Sequence, residues 1–593
     1  MKNPENSKYT VYAVLLSLLS SAAIWAQNEM TQHDPLLLGA VIALFACYTA
    51  AFRCGERSAG IYISGFMFAL FMVLGKLSAL QDARNPAVWI LIRFFGFWAM
   101  FTAILTVVFH RLASVELIDF TATSRSARQC RLVFLAVFLF ISAVYSLWWL
   151  YEYPGNTSAD SNVQLMQAMG LFALRSDHPA VSTLFLKLIY VPALSLFNGN
   201  QNAALALYTA VQSLIMAAIY AYVAESVYEF GCKKGIVISI VILYALHPIY
   251  GSYSITVTKD VLFSGFLTSF GTTLWRIIRK YKYMGRKAKV WEIILLYLSG
   301  LLAGLFRNHT HYAFLLLFPF FFLVFRKRNR FVQFMPAVVF LLALLITGPL
   351  YSALHIGYMD VVESVSIPVQ HISRVICDGN TLTDEQIQLL SKVVDMDRVK
   401  ETYNPMVSDP MKVLIRKTGD VKYLASHKSE YLRLWLELGR QHPMSYLNAQ
   451  IDQTKGYWYP DLMIWTLCND CAPTGENTKF KELAIYKDRR LPAPLSALLE
   501  EIVFLMQTRP LIGLLFNMAL AVWLTIALFF FCIYRRKKEE LLIFIPSLAL
   551  ILTLLAVSPT FIEVRYVLPV FATLPLLCVV PFCGGIGQNQ RMK

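Results

Sequence analysis

Charge is what this sequence has least of. Asp, Glu, Lys and Arg make up 15% of its 593 residues, where a soluble domain carries about 25%. Apolar runs of span length recur along most of the chain, which excludes an ordinary water-soluble globule. Period-two alternation is missing, and with it a transmembrane β-barrel. There is no P-loop. The one notable glycine pair, "GGIG" (584–587), has no helix after it, so nothing here binds a soluble nucleotide by its phosphates. Internal repeats, low-complexity tracts and the inverted halves of many transporters are absent too. Of ten cysteines, only Cys377, Cys468 and Cys471 fall outside the apolar spans and their inner loops. "CNDC" (468–471) leaves a disulfide and free thiols both open, and no nearby pair completes a four-ligand zinc site.

What is present is 57% hydrophobic residues and a net charge of +16. Such a balance describes an all-α polytopic membrane protein. The positive charge sits in short loops such as "RIIRKYKYMGRKAK" (276–289), "RKRNR" (326–330) and "RRKK" (535–538). Clusters of this kind mark the cytoplasmic face rather than a nucleic-acid surface. Spans are expected near 10–26, 36–52, 58–80, 88–109, 132–151, 203–227, 236–254, 260–278, 291–306, 311–325, 331–352, 511–534, 541–557 and 566–583. The first reads as an uncleaved anchor, because Ile24 spoils a small-residue cleavage site. The stretch 178–197 carries Lys187 and is broken by Pro192, and treating it as interfacial is the one choice that puts every later basic cluster inside. The expectation is therefore about fourteen crossings, a cell-membrane location, both termini cytoplasmic and the active face extracytoplasmic.

Four regions follow: N-terminal spans (1–131), a membrane core (132–352) with an outer loop at 152–202, an extracytoplasmic helical domain (353–508) and C-terminal spans (509–593). The outer domain is long enough for its own core.

Polar groups collect on the expected outer face. "EYPGNTSADSNVQLMQ" (152–167) holds Asp160 directly after a span ending in "SLWWLY". "SDHP" (176–179) brings His178, "SITVTKD" (254–260) brings Lys259 and Asp260, and "FRNHTHY" (306–312) brings Arg307, Asn308, His309 and His311. "SPTFIEVRY" (558–566) brings Glu563, Arg565 and Tyr566. Each has a plain structural role open to it. Asp160 could N-cap a helix over Ser161–Met169 with Val163, Met166 and Met169 on lipid; Lys259 and Asp260 could merely start a helix; Glu563 and Arg565 could pair with each other. Taken together, cations around a lone acid suit the neutralising of a lipid-borne phosphate while Asp160 deprotonates an acceptor hydroxyl.

With "YPGNTSAD", "DHP" at the head of an interfacial helix, and "EVRYVLP" near the end, the chain resembles the GT-C glycosyltransferase superfamily, in the layout of its mannosyltransferases and aminoarabinose transferases. "TKD", "RN", "SIPVQHISRV" (from Ser366) and "GYWYPD" (456–461) are similar to an uncharacterised multi-pass membrane family of Gram-positive bacteria, over most of residues 145–570. The resemblance implies a GT-C-like transmembrane bundle, with Asp160 in the place of the catalytic acid and the other residues toward substrate. It implies a polyprenyl-phosphate-linked sugar donor and a cell-envelope glycan or lipid acceptor, with no nucleic acid. The paired acids that bind metal in oligosaccharyltransferases are missing, so a divalent metal is possible but not implied. A polymerase or ligase of lipid-linked oligosaccharides is the alternative enzyme, and a transporter or flippase the alternative class.

Overall fold

A segment in lipid must close its backbone hydrogen bonds within itself, and the apolar runs do so as helices. The computed structural model describes residues 4–28, 35–81, 85–118, 125–460, 462 and 480–584. Cys468 and Cys471, and the end of "GGIG", lie outside the described residues. Among those described, the only β contacts are four isolated bridges. Eight helices are long and apolar enough to cross a membrane, ten if two bent pairs each count as one, and five shorter apolar helices accompany them.

Helices α1 (Pro4–Asn28), α2 (Pro35–Cys54), α3 (Ala59–Gly75) and α4 (Pro86–Ala113) pack together at the N-terminus. They join the remainder through α3, where Phe68 stacks on Trp523 at 4.3 Å. Gly75 touches Tyr459 so closely that an added Cβ would lie 2.2 Å from the ring.

The bundle that carries the polar loops comprises α5 (Ala127–Tyr151), α6 (Ala159–Ala168), α7 (Ala180–Leu196), α8 (Gln201–Glu229), α9 (Lys234–Leu246), α10 (Pro248–Ser254), α11 (Lys259–Tyr283), α12 (Val290–Phe306), α13 (His311–Phe325) and α14 (Arg330–Leu345). After residues 353–508 come α15 (Met518–Tyr534), α16 (Leu541–Val557) and α17 (Val564–Leu577). At its centre lies α11, packed on α8, α12 and α17. Its sequence explains the position. Gly265 lets Met216 and Ile219 of α8 approach closely, as small residues do between membrane helices. Ser264, Thr268, Thr272 and Thr273 spend their hydroxyls on carbonyls of the preceding turn. Thus these four hydroxyls are buried with partners inside their own helix.

Three expectations need correction. Residues 276–282 are not loop: α11 runs on to Tyr283, and Arg276, Arg279 and Lys280 are buried. The stretch 236–254 bends by 53° at His247, where Pro248 cannot donate to the helix before it. The stretch 511–534 turns by 76° at Asn517, whose side chain caps α15.

Basic stretches gather at one end. Lys282 pairs with Glu540 (2.7 Å) and Arg328 with Glu539 (2.6 Å), Arg535 donates to the Val115 carbonyl, and the Lys233 amide donates to Leu117. The polar loops named above gather at the other end. Both ends of α7 lie there too: Ala180 clusters with Tyr351 and Ile356, while Leu186, Tyr190 and Ala193 pack on Ala204, Leu205 and Tyr208 in the first turns of α8.

Residues 361–438 form a helical unit with its own apolar core, including Val362, Leu390, Leu414 and Leu438. Two bridges tie this unit to the polar end. One joins Arg175 to Gly357, the other Val407 to Thr560.

Candidate functional site

Asp160 reaches its place through backbone pairing. The Asn156 amide donates to the Ile255 carbonyl (3.2 Å), and the Val257 amide donates to the Asn156 carbonyl (2.8 Å). Gly155, at φ 129°, permits the approach; a Cβ there would lie 2.5 Å from Thr209 and 2.8 Å from the Ile255 oxygen. The loop after α5 is thereby laid along the loop before α11, and the first turns of α6 and α11 face each other.

The helix cap is not Asp160. Ser158 caps α6, in a reciprocal box with Ser161, which leaves Asp160 inside the first turn with neither oxygen spent on the cap. Nor does Met166 face lipid: it is 2% exposed, in a cluster with Leu186 and Tyr208.

Around Asp160 stand two cations. Arg565 donates to its Oδ2 at 2.8 Å, and the Lys259 ammonium lies 3.7 Å from the same oxygen. Lys259 also donates to His178 Nδ1 at 3.2 Å, which fixes that nitrogen as the acceptor of a neutral ring. Burial, then Lys259, pushes His178 down to about 4. Although 36% exposed, the Asp160 carboxylate is densely surrounded. Burial alone would raise its pKa; Lys259 and Arg565 outweigh that and hold the group well below the usual carboxylate range.

A second pair lies behind the first. Asp260, fully buried in the first turn of α11, accepts from Arg307 at 3.0 Å. The Arg307 guanidinium also faces the rings of Phe263 (5.5 Å) and Tyr566 (5.2 Å). Glu563 lies 3.1 Å from Arg565. Burial pushes the Glu563 carboxyl up; Arg565 opposes this, and the neighbouring charge of Asp160 adds to it.

The expected set therefore divides. Asp160, His178, Lys259, Asp260, Arg307, Glu563, Arg565 and Tyr566 meet in one chain of contacts. Asn308 stands beside them, donating to the Ser176 carbonyl at 3.0 Å, and His311 lines a separate cavity with Arg307. Asp160 is not a lone acid: three carboxylates face three cations. Acids whose environments push their protonation in opposite directions, as Asp160 and Glu563 do, are the usual pattern of acid–base sites. Among the described residues no group of three or more His, Cys, Asp or Glu side chains is placed to hold a metal ion.

Sequence reasoning missed Tyr457. Its hydroxyl accepts from Ser558 at 3.3 Å, next to the turn that bears Glu563. Gly456 allows this contact, since a Cβ there would sit 2.6 Å from the Phe561 carbonyl. "GYWYPD" with its glycine beside a tyrosine was the available signal.

A family model described as "Family of unknown function (DUF6020)" matches residues 171–585, and the chain belongs to that family. The match contains every residue of the site except Asp160. No curated protein and no solved structure matches the chain.

Proposed function

We propose that this DUF6020 member is an integral-membrane glycosyltransferase of GT-C type, moving a sugar from a polyprenyl-phosphate donor to a cell-surface glycan or lipid. The observation that carries the reading is the half-exposed Asp160 carboxylate held between Lys259 and Arg565 at one end of an apolar bundle. Both cations are the right partners for a phosphate. A donor phosphate that engages them loosens their hold on Asp160, and its pKa rises toward a value useful to a base. Asp160 then takes the proton of the acceptor hydroxyl as the acceptor oxygen bonds to the sugar's anomeric carbon. The bond from that carbon to the phosphate oxygen breaks, and polyprenyl phosphate leaves as an anion facing Lys259 and Arg565. Glu563, when protonated, brings the six charged groups to a net +1, which matches the single charge of a phosphodiester donor.

The topology follows the same reading. Eight long helices, two bent pairs and the shorter helices other than Ala180–Leu196 give fourteen crossings. The basic end is cytoplasmic by the positive-inside rule, so the site, α7 and residues 353–508 are extracytoplasmic. Both termini are cytoplasmic. A transporter reading is weaker. Broken transporter helices part near the bilayer midplane, whereas the break at Asn517 stands the full seventeen residues of α15 from the basic end. That is about 25 Å along the axis, near the far edge of a hydrocarbon core about 30 Å thick.

The test is a transfer assay on purified chain with a polyprenyl-phosphate sugar. Because Ser158 holds the cap, Asp160→Asn should leave the chain folded, at a lower melting temperature because Lys259 and Arg565 lose their shared acid, while lowering transfer about 100-fold. Retention of most activity by that variant would remove Asp160 from the chemistry.

A further inference from the structure

Beside Arg307, on the wall formed by the turn after α12, the start of α13 and the residues after α14, lies a cavity of about 230 Å³. That is room for a ligand the size of one pyranose ring.

Its lining is built for hydroxyl groups. His311 is 6% exposed, with its ring held against the Gly304 carbonyl, and its Nδ1 is buried with no other hydrogen-bond partner, so a ligand hydroxyl can complete it. Asn308 spends its amide nitrogen on the Ser176 and Asp177 carbonyls, and its amide oxygen has no partner among the described residues. Tyr312 leaves half its surface exposed, with the His309 ring nearly parallel to it at 6.2 Å. Aromatic faces of this kind receive the apolar face of a sugar. His309 itself holds φ 63°, a left-handed conformation that a non-glycine residue adopts at a cost. A π-helical turn, Ile346–Leu350, forms the opposite wall, and such turns recur at functional sites. No acid lines the cavity. Its one cation, Arg307, is already paired with Asp260. A neutral polyhydroxyl ring fits this lining; a second phosphate does not.

We infer that this cavity binds a single pyranose ring, the sugar of the donor or the terminal sugar of the acceptor. The inference rests on the glycosyltransferase reading for its substrate class, but it concerns a different set of residues. Gly348 gives the means to test it, since an added Cβ there meets nothing within 4 Å.

The experiment measures binding to the full chain in nanodiscs of three kinds of probe: geranyl phosphate, geranyl phosphates carrying glucose, mannose, galactose or N-acetylglucosamine, and the corresponding methyl pyranosides. At least one sugar-bearing probe should show saturable binding that Gly348→Leu and His311→Phe each weaken tenfold or more. Geranyl phosphate binding should be unchanged by Gly348→Leu. Tighter binding only when sugar and phosphate are joined assigns the ring to the donor, and competition by free methyl pyranosides assigns it to the acceptor. Sugar binding that survives both substitutions, or no sugar-dependent binding beside normal geranyl phosphate binding, overturns the cavity assignment alone. Failure of geranyl phosphate to bind, with cavity-dependent binding of methyl pyranosides intact, overturns the donor reading and leaves the cavity assignment standing.

Discussion

The two ends of the bundle both carry buried ions, and they are finished differently. At the basic end Arg276 is 3% exposed and donates to Glu292, Glu225 and Glu229 as well as to Ser226. Glu292, fully buried, also accepts from Lys280 and from the Lys289 amide. Rings of Tyr222 and Trp291 cover the guanidinium, each 5.3 Å away. At the polar end the side chains of Lys259 and Arg565 are 16% exposed and that of Asp160 is 36% exposed. One network satisfies its members internally. The other leaves charge facing outward. Closure distinguishes an ion cluster that holds helices together from one that awaits a ligand.

Substitutions should separate the two. Arg276→Ala should cost the most, about 3–5 kcal/mol, because three carboxylates lose their shared partner, one of them, Glu292, fully buried. Denaturant unfolding in detergent measures it, and a variant as stable as the parent would mean that the basic end is not structural. Next is Arg565→Gln, which should lower transfer by about 100-fold, roughly 2.7 kcal/mol in the barrier, while costing less stability than Arg276→Ala. Equal losses of stability at the two ends would erase the comparison. A smaller effect belongs to His178. Its folded pKa of about 4 lies below the ordinary value of 6.5, so the unfolded chain binds the proton first. The contribution is present above pH 6.5 and is lost as the pH falls toward 4, by at most about 3 kcal/mol. His178→Asn should flatten that part of a stability–pH profile; an unchanged slope would show the ring to be charged in the fold. Smallest is the exposed Arg489–Glu500 pair, both near half exposed. Arg489→Ala should alter stability by less than about 1 kcal/mol in the same unfolding assay.

Much of this was legible in residue order. Hydrophobic runs mark the helices, and polar residues at their ends mark one face, because both follow from the cost of placing polar groups in lipid. Asp160, Lys259, Arg307 and Arg565 could be grouped on that ground alone. What could not be read was who pairs with whom. Asp260 looked like a helix-start acid and is the buried partner of Arg307, since the contact depends on how α11 and α12 pack. The inner clusters looked purely cationic; their acids Glu225, Glu229, Glu292 and Glu540 lie on other helices or beside other spans. A capping role was open to Asp160 because an acid before a helix is a good cap, yet Ser158 and Ser161 close the box and free the acid. The breaks at His247 and Asn517 carry weak local signals inside strongly apolar runs.

The contact between Asp160 and Arg565 joins positions 405 residues apart. At about 5–20 residues per second of synthesis, roughly 20–80 s pass between the emergence of the two. For that interval a growing chain already inserted through Lys259 holds its acid and its amine without the guanidinium that completes them. A chain released before Val564 has most of its membrane body and no assembled centre. The site is therefore a late product of biosynthesis, assembled only once α17 has been made.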